Sequence, residues 1–235
     1  MTGARSASLP TTLRLLPLLA LAACGPSRTG VLAPHGEPEL VPMDFSRPFS
    51  LSPLPDGWQH RTFWTRRPMA VSFATKDGVP ALRAETEGTA SMLFRHVDVP
   101  LADYPVLTWR WYVERPLDSP LDERTRAGDD HPARLFLPFS AGSAEHRMEI
   151  VWGNRLHAGE WKVIEGFPHD VADGGDENAG RWRDERVDLR ALYASLWPDS
   201  VPARLTDIAI FCDSDETGGH TVSYTAAVTM RREAP

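Results

Sequence analysis

The nine residues 106–114, VLTWRWYVE, decide the fold class of this chain. Successive side chains of an extended strand point to opposite faces of a sheet. One face of this segment is apolar and consists of Leu107, Trp109, Trp111 and Val113. The other face carries Thr108, Arg110, Tyr112 and Glu114. This alternation predicts a half-buried strand, and it favours the two tryptophans as core residues over a platform for sugars.

Short alternating segments separated by turn residues continue along the chain and predict further strands. The predicted strands are 58–64, 70–75, 81–86, 90–97, 106–114, 133–139, 147–152, 161–164, 181–187, 207–213 and 221–230. One short helix is predicted at 189–196, with Asp188 as its N-cap and Pro198 after its end. Strands without alternating helices indicate an all-β protein, a jelly-roll-like β-sandwich.

The alternation also separates polar side chains from the predicted core. In strand 133–139 the apolar residues share one face, so Arg134 lies on the opposite, open face. In strand 207–213 the same alternation places Asp213 on the open face. In 221–230, Val222 and Tyr224 are expected to face the core together with the later apolar residues. We therefore expect one open face of the sandwich to be lined by Arg110, Tyr112, Asp130, Arg134, Asp213 and Asp215.

The N-terminus has the pattern of a bacterial lipoprotein. Residues 1–23 combine two arginines with a short apolar run, which is typical of a signal peptide. Small residues precede Cys24, which predicts lipidation of that thiol and anchoring of the protein to a membrane. Residues 24–48 are rich in Pro and Gly and predict a flexible tether, which leaves 49–235 as a single domain.

Composition and charge narrow the location and the partners. With Cys24 lipidated, Cys212 is the only remaining cysteine, so no intrachain disulfide is expected. The formal net charge is −7 with no basic run, which argues against a nucleic-acid partner. We expect a cell-envelope protein facing the periplasm. Gly25, where an aspartate often directs inner-membrane retention, favours the outer membrane over the inner.

Five short motifs resemble domain-of-unknown-function family 3047, a family of bacterial exported proteins. They are PDGW at 55–58, YPVLTWRW at 104–111, GDDHPAR at 128–134, ER at 185–186 and DSDETG at 213–218. The resemblance implies a jelly-roll sandwich like that of carbohydrate-binding and galactose-binding-like modules, and it brings no established activity. Its motif positions are Trp109, Arg110, Trp111, Asp129, Asp130, Arg134, Asp213 and Asp215. The family pattern often has Asn where this chain has Glu216, which leaves any transferred role of that position open.

The acidic stretch DSDETGG at 213–219 has three interpretations. Asp213 and Asp215 offer hard oxygen ligands for calcium, although the remaining ligands of an EF-hand are missing. The same residues also suit a strand-to-strand turn, in which aspartates accept hydrogen bonds from backbone amides. A ligand-binding or catalytic role is the third interpretation. Calcium is therefore the only candidate cofactor.

The sequence favours a non-catalytic saccharide-binding protein with Arg110, Tyr112, Asp130 and Arg134 as ligand-binding residues. A carbohydrate-active hydrolase or lyase that uses the acidic cluster is the first alternative, since paired carboxylates cleave glycosidic bonds. A structural or protein-interaction lipoprotein is the second. No nucleophile elbow, metalloprotease motif or phosphate loop is present, so the catalytic residues stay unknown and an enzyme is the less favoured interpretation.

Overall fold

A computed structural model describes residues 29–200 and 202–232 of the chain. The described residues form fourteen strands. Their bounds are β1 Glu39–Met43, β2 Trp58–Thr62, β3 Ala70–Lys76, β4 Val79–Glu87, β5 Ala90–Pro100, β6 Val106–Arg115, β7 Arg134–Ala141, β8 Ala144–Gly153, β9 Trp161–Ile164, β10 Phe167–Gly174, β11 Trp182–Asp188, β12 Arg204–Asp213, β13 His220–Thr225 and β14 Val228–Arg231. The helix α1 spans Leu189–Leu196, and two 3-10 helices lie at Arg126–Gly128 and Asp176–Asn178.

The strands form two seven-stranded sheets. In the first sheet the order is β1-β14-β6-β13-β4-β3. Strands β14 and β13 pair with successive parts of one edge of β6, and β11 pairs with the opposite edge of β6. In the second sheet the order is β2-β5-β12-β7-β8-β10-β9. Among the fourteen described strands, all pairings are antiparallel except that of β10 with β8, and an isolated bridge between Leu32 and Val97 is also parallel. This architecture confirms the predicted jelly-roll-like β-sandwich.

The main core lies between the two sheets and includes both tryptophans of β6. Trp109 and Trp111 are at most 2% exposed and pack edge to face at 5.2 Å. The second sheet contributes the alternate residues predicted from its strands, among them Leu135 of β7 and Ile210 of β12. The core interpretation of the two tryptophans is therefore confirmed.

The predicted helix is present with the predicted bounds. The Asp188 carboxylate accepts a hydrogen bond from the Ala191 amide at 2.9 Å and satisfies one of the amides at the helix start. Leu189 and Tyr193, one turn apart, are buried against the core. The polar cap and the apolar face explain why such a short segment is helical.

Strand β1 corrects the expected tether over residues 24–48. Residues 39–43 pair with β14 in the first sheet, and Leu40, Met43 and Phe45 are at most 4% exposed. The Phe45 ring also contacts the rings of Trp58 and Phe73, each at 6.3 Å. The folded domain therefore begins before residue 49. The many prolines and glycines around β1 hide the short apolar run from sequence analysis.

Strand β13 has the opposite orientation to the one expected. Val222 and Tyr224 lie in a small buried cluster on the outer face of the first sheet, separate from the main core, and the buried side chains on the inward face are Thr221, Ser223 and Thr225. The predicted continuous strand 221–230 is interrupted after Thr225, and Val228 and Met230 of β14 return to the core. Buried hydroxyls that donate to backbone carbonyls, as Ser223 does to Pro132 at 2.5 Å, make the inner face look polar in the sequence.

The predicted signal peptide and Cys24 lie outside the described residues. Within residues 29–200 and 202–232, no helix combines the length and the apolar character that crossing a membrane requires.

Candidate functional site: a groove on the second sheet

The outer face of the second sheet carries two adjoining cavities of about 410 and 740 Å³. Arg61, Phe136 and Arg147 line both cavities, so together they form one groove, which we call the sheet groove. Its long direction follows the strands, because the first cavity reaches Arg134 at the start of β7 and the second reaches Ser140. At about 3.3 Å per residue, the six steps between them span roughly 20 Å.

Aromatic rings form the floor of the sheet groove. The rings of Phe94 and Phe136 meet edge to face at 5.9 Å, and those of Phe63 and Phe211 lie 6.1 Å apart. These residues belong to an apolar cluster that is separate from the main core. The Arg147 guanidinium lies over the Phe167 ring at 4.6 Å. The floor thus presents the edges of nearly buried aromatic rings, and the walls of both cavities combine arginines with polar and acidic side chains.

Arg134 is the centre of the polar network at one end of the groove. It is 2% exposed, and its Nη1 donates to Glu149 Oε2 at 2.8 Å. Its Nη2 donates to Asp213 Oδ2 and to the carbonyl oxygen of Asp129. Burial acts to raise the pKa of Glu149, but Arg134 and His169 outweigh it and hold that pKa at about 2. Glu149 is therefore ionised over the whole physiological pH range.

A buried lysine and histidine lie behind this network. Lys162 Nζ donates to the Glu123 carbonyl oxygen at 2.7 Å and to Asp129, and it lies 2.7 Å from His131 Nε2. His131 Nδ1 lies 2.6 Å from the Trp152 carbonyl oxygen, so Nδ1 carries the proton and Nε2 accepts from Lys162. Burial and the Lys162 charge lower the pKa of His131 to about 4, which agrees with a neutral imidazole.

Four carboxylates meet at the loop end of the groove. One oxygen from each of Asp130, Asp213, Asp215 and Glu216 lies within 4.8 Å of the others. Most of these oxygens already have protein partners: Asp130 accepts from the Thr217 amide at 2.6 Å, and Asp215 pairs with Arg66 at 2.5 Å. Burial, and then hydrogen bonds with Asp130 and Asp215, raise the pKa of Glu216 to about 8.

The donor chemistry of these carboxylates fits calcium, which prefers several hard oxygen ligands. A calcium ion would be held by Asp130, Asp213, Asp215 and Glu216. It would compete with Arg66 and Arg134 for Asp215 and Asp213. The predicted calcium site at Asp213 and Asp215 gains two further donors in the structure and stays a prediction.

The six residues expected on one face are divided between the two sheets, which corrects that expectation. Arg134, Asp213 and Asp215 line the sheet groove, and Asp130 lies directly behind it, fully buried. Arg110 and Tyr112 lie on β6 of the first sheet, where Arg110 pairs with Asp184 at 2.8 Å. Alternation within a strand identifies the face of its own sheet and does not identify which sheet that is.

Several residues in the sheet groove and behind it were not identified from the sequence. Alternation could have placed Glu149 on the open face of its strand, because Met148 and Ile150 on either side of it are core residues. Lys162 and His169 lie in short strands at the edge of the sheet and gave no such signal. Arg61 and Arg147 are exposed and have no ion pair among the residues that the structure describes.

Solved structures with a similar chain path include carbohydrate-binding and carbohydrate-cleaving proteins. The family 11 carbohydrate-binding module of Lic26A-Cel5E from Clostridium thermocellum is 6% identical, with 83% of this chain and 95% of that chain covered and a TM-score of 0.45. The xyloglucanase domain of NopAA from Sinorhizobium fredii, solved with cellobiose, is 12% identical, with coverages of 78% and 96% and a TM-score of 0.40. Endoglucanase 3 of Trichoderma harzianum, from family GH12, is 7% identical, with coverages of 73% and 90% and a TM-score of 0.42. Values this low carry no inference about activity.

No curated protein matches the chain in sequence. A family model described as a protein of unknown function, DUF3047, matches residues 56–229. The matched residues include most of both sheets and every groove residue named above, and they contain the motifs from which the resemblance was predicted except for Pro55 at the start of the first one. The chain therefore belongs to the DUF3047 family of proteins of unknown function.

Proposed function

We propose that this protein is a lipid-anchored cell-envelope protein that binds a saccharide chain in the sheet groove without cleaving it. The observation that carries the proposal is the roughly 20 Å groove with a phenylalanine floor and arginines at its sides. Aromatic rings suit the apolar C–H faces of sugar rings, and guanidinium groups suit sugar hydroxyls and carboxylates. An elongated groove with both features fits a chain of sugars.

We assign a different set of residues to the ligand from the one that the sequence indicated. Arg61 and Arg147 replace Arg110 and Tyr112, because they are exposed and line both cavities. Arg134 stays in the set. Its terminal nitrogens are used by the protein, but its buried Nε has no hydrogen-bond partner among the described residues. We reassign Asp130 from ligand binding to positioning the turn at residues 216–217, because its carboxylate accepts a hydrogen bond from the Thr217 amide.

The test measures retention and cleavage in the same tubes. The full chain is incubated with cellulose, xyloglucan, polygalacturonate, alginate and peptidoglycan, once with millimolar calcium and once with a chelator. We expect retention on at least one polymer without released fragments. We expect Arg61→Ala and Arg147→Ala to reduce retention, because both remove groove donors. The matched control is Arg110→Ala, which removes a half-buried arginine, paired with Asp184, from the other sheet. Equal retention in all three variants would overturn the assignment to this groove.

A carbohydrate-active enzyme is the second candidate, and one observation favours it. Glu149 and Glu216 line the same groove with pKa values of about 2 and about 8, the division between a base or nucleophile and an acid. Asp130 also lies close to Asp213 and Asp215, the two carboxylates with which it could form a catalytic pair. New fragments that disappear in Glu149→Gln and Glu216→Gln would establish an enzyme in place of a binding protein.

A structural lipoprotein is supported by the burial of Arg134 within ion pairs. In that case neither retention nor fragments would be found with any polymer. The parallel incubations with calcium and with chelator test whether ligand binding needs calcium. Equal retention under both conditions would mean that it does not.

A further inference from the structure

Trp64 is the most exposed large apolar side chain among the described residues, at 102% of its reference area. It lies in the loop between β2 and β3, at the corner of a turn that the Arg66 amide closes by donating to the Phe63 carbonyl oxygen at 3.1 Å. Large aromatic side chains are seldom left entirely in water, because their burial is strongly favourable. A fully exposed indole therefore needs an explanation.

Both sides of this turn are fixed to the end of the sheet groove. The Phe63 ring packs against Phe211 of the groove floor, and Arg66 pairs with Asp215 at 2.5 Å. Phe63, Thr65 and Arg66 all line the first cavity. Trp64 is thus held at the rim of the groove by its neighbours while its own ring stays open to solvent. The turn fixes the backbone at Trp64, so a ligand that stacks on the ring has only the two side-chain torsions of the indole to order.

We propose that Trp64 is a stacking platform for one sugar ring at the rim of the groove, and that the ligand is accordingly a chain of linked pyranoses longer than the groove itself. This inference rests on the proposed saccharide binding and extends it. The C–H groups on one face of a pyranose carry partial positive charge, and they match the negative face of the indole ring.

The surroundings of Trp64 favour a sugar over a protein or a lipid surface. The next residues, Thr65, Arg66 and Arg67, are exposed and polar. A stable protein interface buries about 800 Å² on each partner around an apolar centre, which a single indole beside two arginines does not supply. A single sugar ring, by contrast, needs one flat aromatic surface.

The experiment compares two tryptophans that are both exposed. Trp161 on the edge strand β9 is 39% exposed, and its side chain alternates with those of Lys162 and Ile164, which point to the groove side. The probes are cellohexaose and hexagalacturonate, with the matching disaccharides, and the protein is the full chain. We expect Trp64→Ala to weaken hexasaccharide binding roughly five- to tenfold and to leave disaccharide binding unchanged. Trp161→Ala should leave both unchanged.

Iodide quenching of tryptophan fluorescence gives a second readout. A hexasaccharide should protect the wild-type protein from quenching, and this protection should be lost in Trp64→Ala and kept in Trp161→Ala. Hexasaccharide binding that Arg147→Ala weakens and Trp64→Ala does not would overturn the platform and leave the groove standing. If the wild-type protein binds neither hexasaccharide, both the platform and the proposed function fail. Protection by lipid vesicles or by concentrated protein alone would assign Trp64 to those partners instead.

Discussion

At the scale of single residues, Arg134 explains why the open face of the second sheet is polar at one end. One guanidinium on β7 satisfies carboxylates from the two strands that flank β7, Glu149 of β8 and Asp213 of β12. It also lies over the Phe211 ring at 4.5 Å. A buried ion pair adds little net stability compared with apolar residues, but removing one partner leaves an uncompensated buried charge. The fold therefore depends on Arg134, because its removal is costly even though its ion pairs add little net stability.

We predict that Arg134→Met lowers the free energy of unfolding by about 3–5 kcal/mol, because two carboxylates lose their counter-ion. Urea unfolding followed by tryptophan fluorescence measures this difference. The control is Arg126→Ala, since Arg126 pairs with Glu165 at the surface, where the two side chains are 73% and 55% exposed. Exposed pairs contribute about 0–1 kcal/mol. Similar losses in both variants would contradict the central role of Arg134.

Sequence alternation located part of this site and missed the rest for identifiable reasons. Arg134 and Asp213 were correctly placed on the open face of their strands, because their neighbours along each strand are apolar. Arg110 was grouped with them although it lies on β6, since a strand pattern does not specify sheet membership. Lys162 lies in a four-residue strand, too short for its buried position to be recognised as a pattern.

At the scale of secondary-structure elements, β11 connects the two sheets at their edge. Its inward side chains include Val187, which packs on the core, and Glu185, which lies near Asp173 of β10 in the second sheet. Asp173 in turn pairs with Arg183 of β11 and accepts from Asn178 Nδ2 at 2.7 Å. Burial, and then the neighbouring Asp173 charge, raise the pKa of Glu185 to about 7. This contact between the sheets is therefore sensitive to pH.

We predict that the contact weakens as the pH rises from about 4.5 to about 7. In the unfolded chain Glu185 ionises near 4.5, the ordinary pKa of a glutamate, but in the folded protein it ionises near 7. A higher pH therefore favours unfolding over this window. Glu185→Gln cannot ionise and should remove this part of the dependence. Melting temperatures of both proteins from about pH 4.5 to about pH 8 measure the effect.

The matched control for this series is Glu87→Gln, the same change of side chain at an exposed glutamate at the end of β4. It should change the melting temperature by a similar small amount at every pH in the window. If wild type and Glu185→Gln follow parallel curves, Glu185 does not set the pH dependence of the contact.

At the scale of the whole molecule, the sequence predicted the class of fold but not the pairing of its strands. The apolar faces of β6, β7 and β12 are enough to indicate two sheets around one core. In the parallel pairing of β10 with β8, β9, which lies between them in the chain, is placed at the edge of the sheet, and alternation does not encode such an arrangement. The groove follows from that pairing, because β8 and β10 bring Glu149 beside His169, at 3.3 Å.

The extent of the domain yields the last prediction. The side chains of Leu40, Met43 and Phe45 are buried, and burying each such side chain contributes about 1.5–3 kcal/mol. Deleting residues 1–48, the predicted signal peptide and tether, should therefore lower the free energy of unfolding by on the order of 5 kcal/mol. Deleting residues 1–28 removes none of the described contacts and should leave the stability unchanged. The urea concentrations at which the two shortened chains are half unfolded decide whether the folded domain begins before or after residue 48. Equal midpoints would mean that β1 is dispensable and that residues up to 48 act as the tether that their composition indicated.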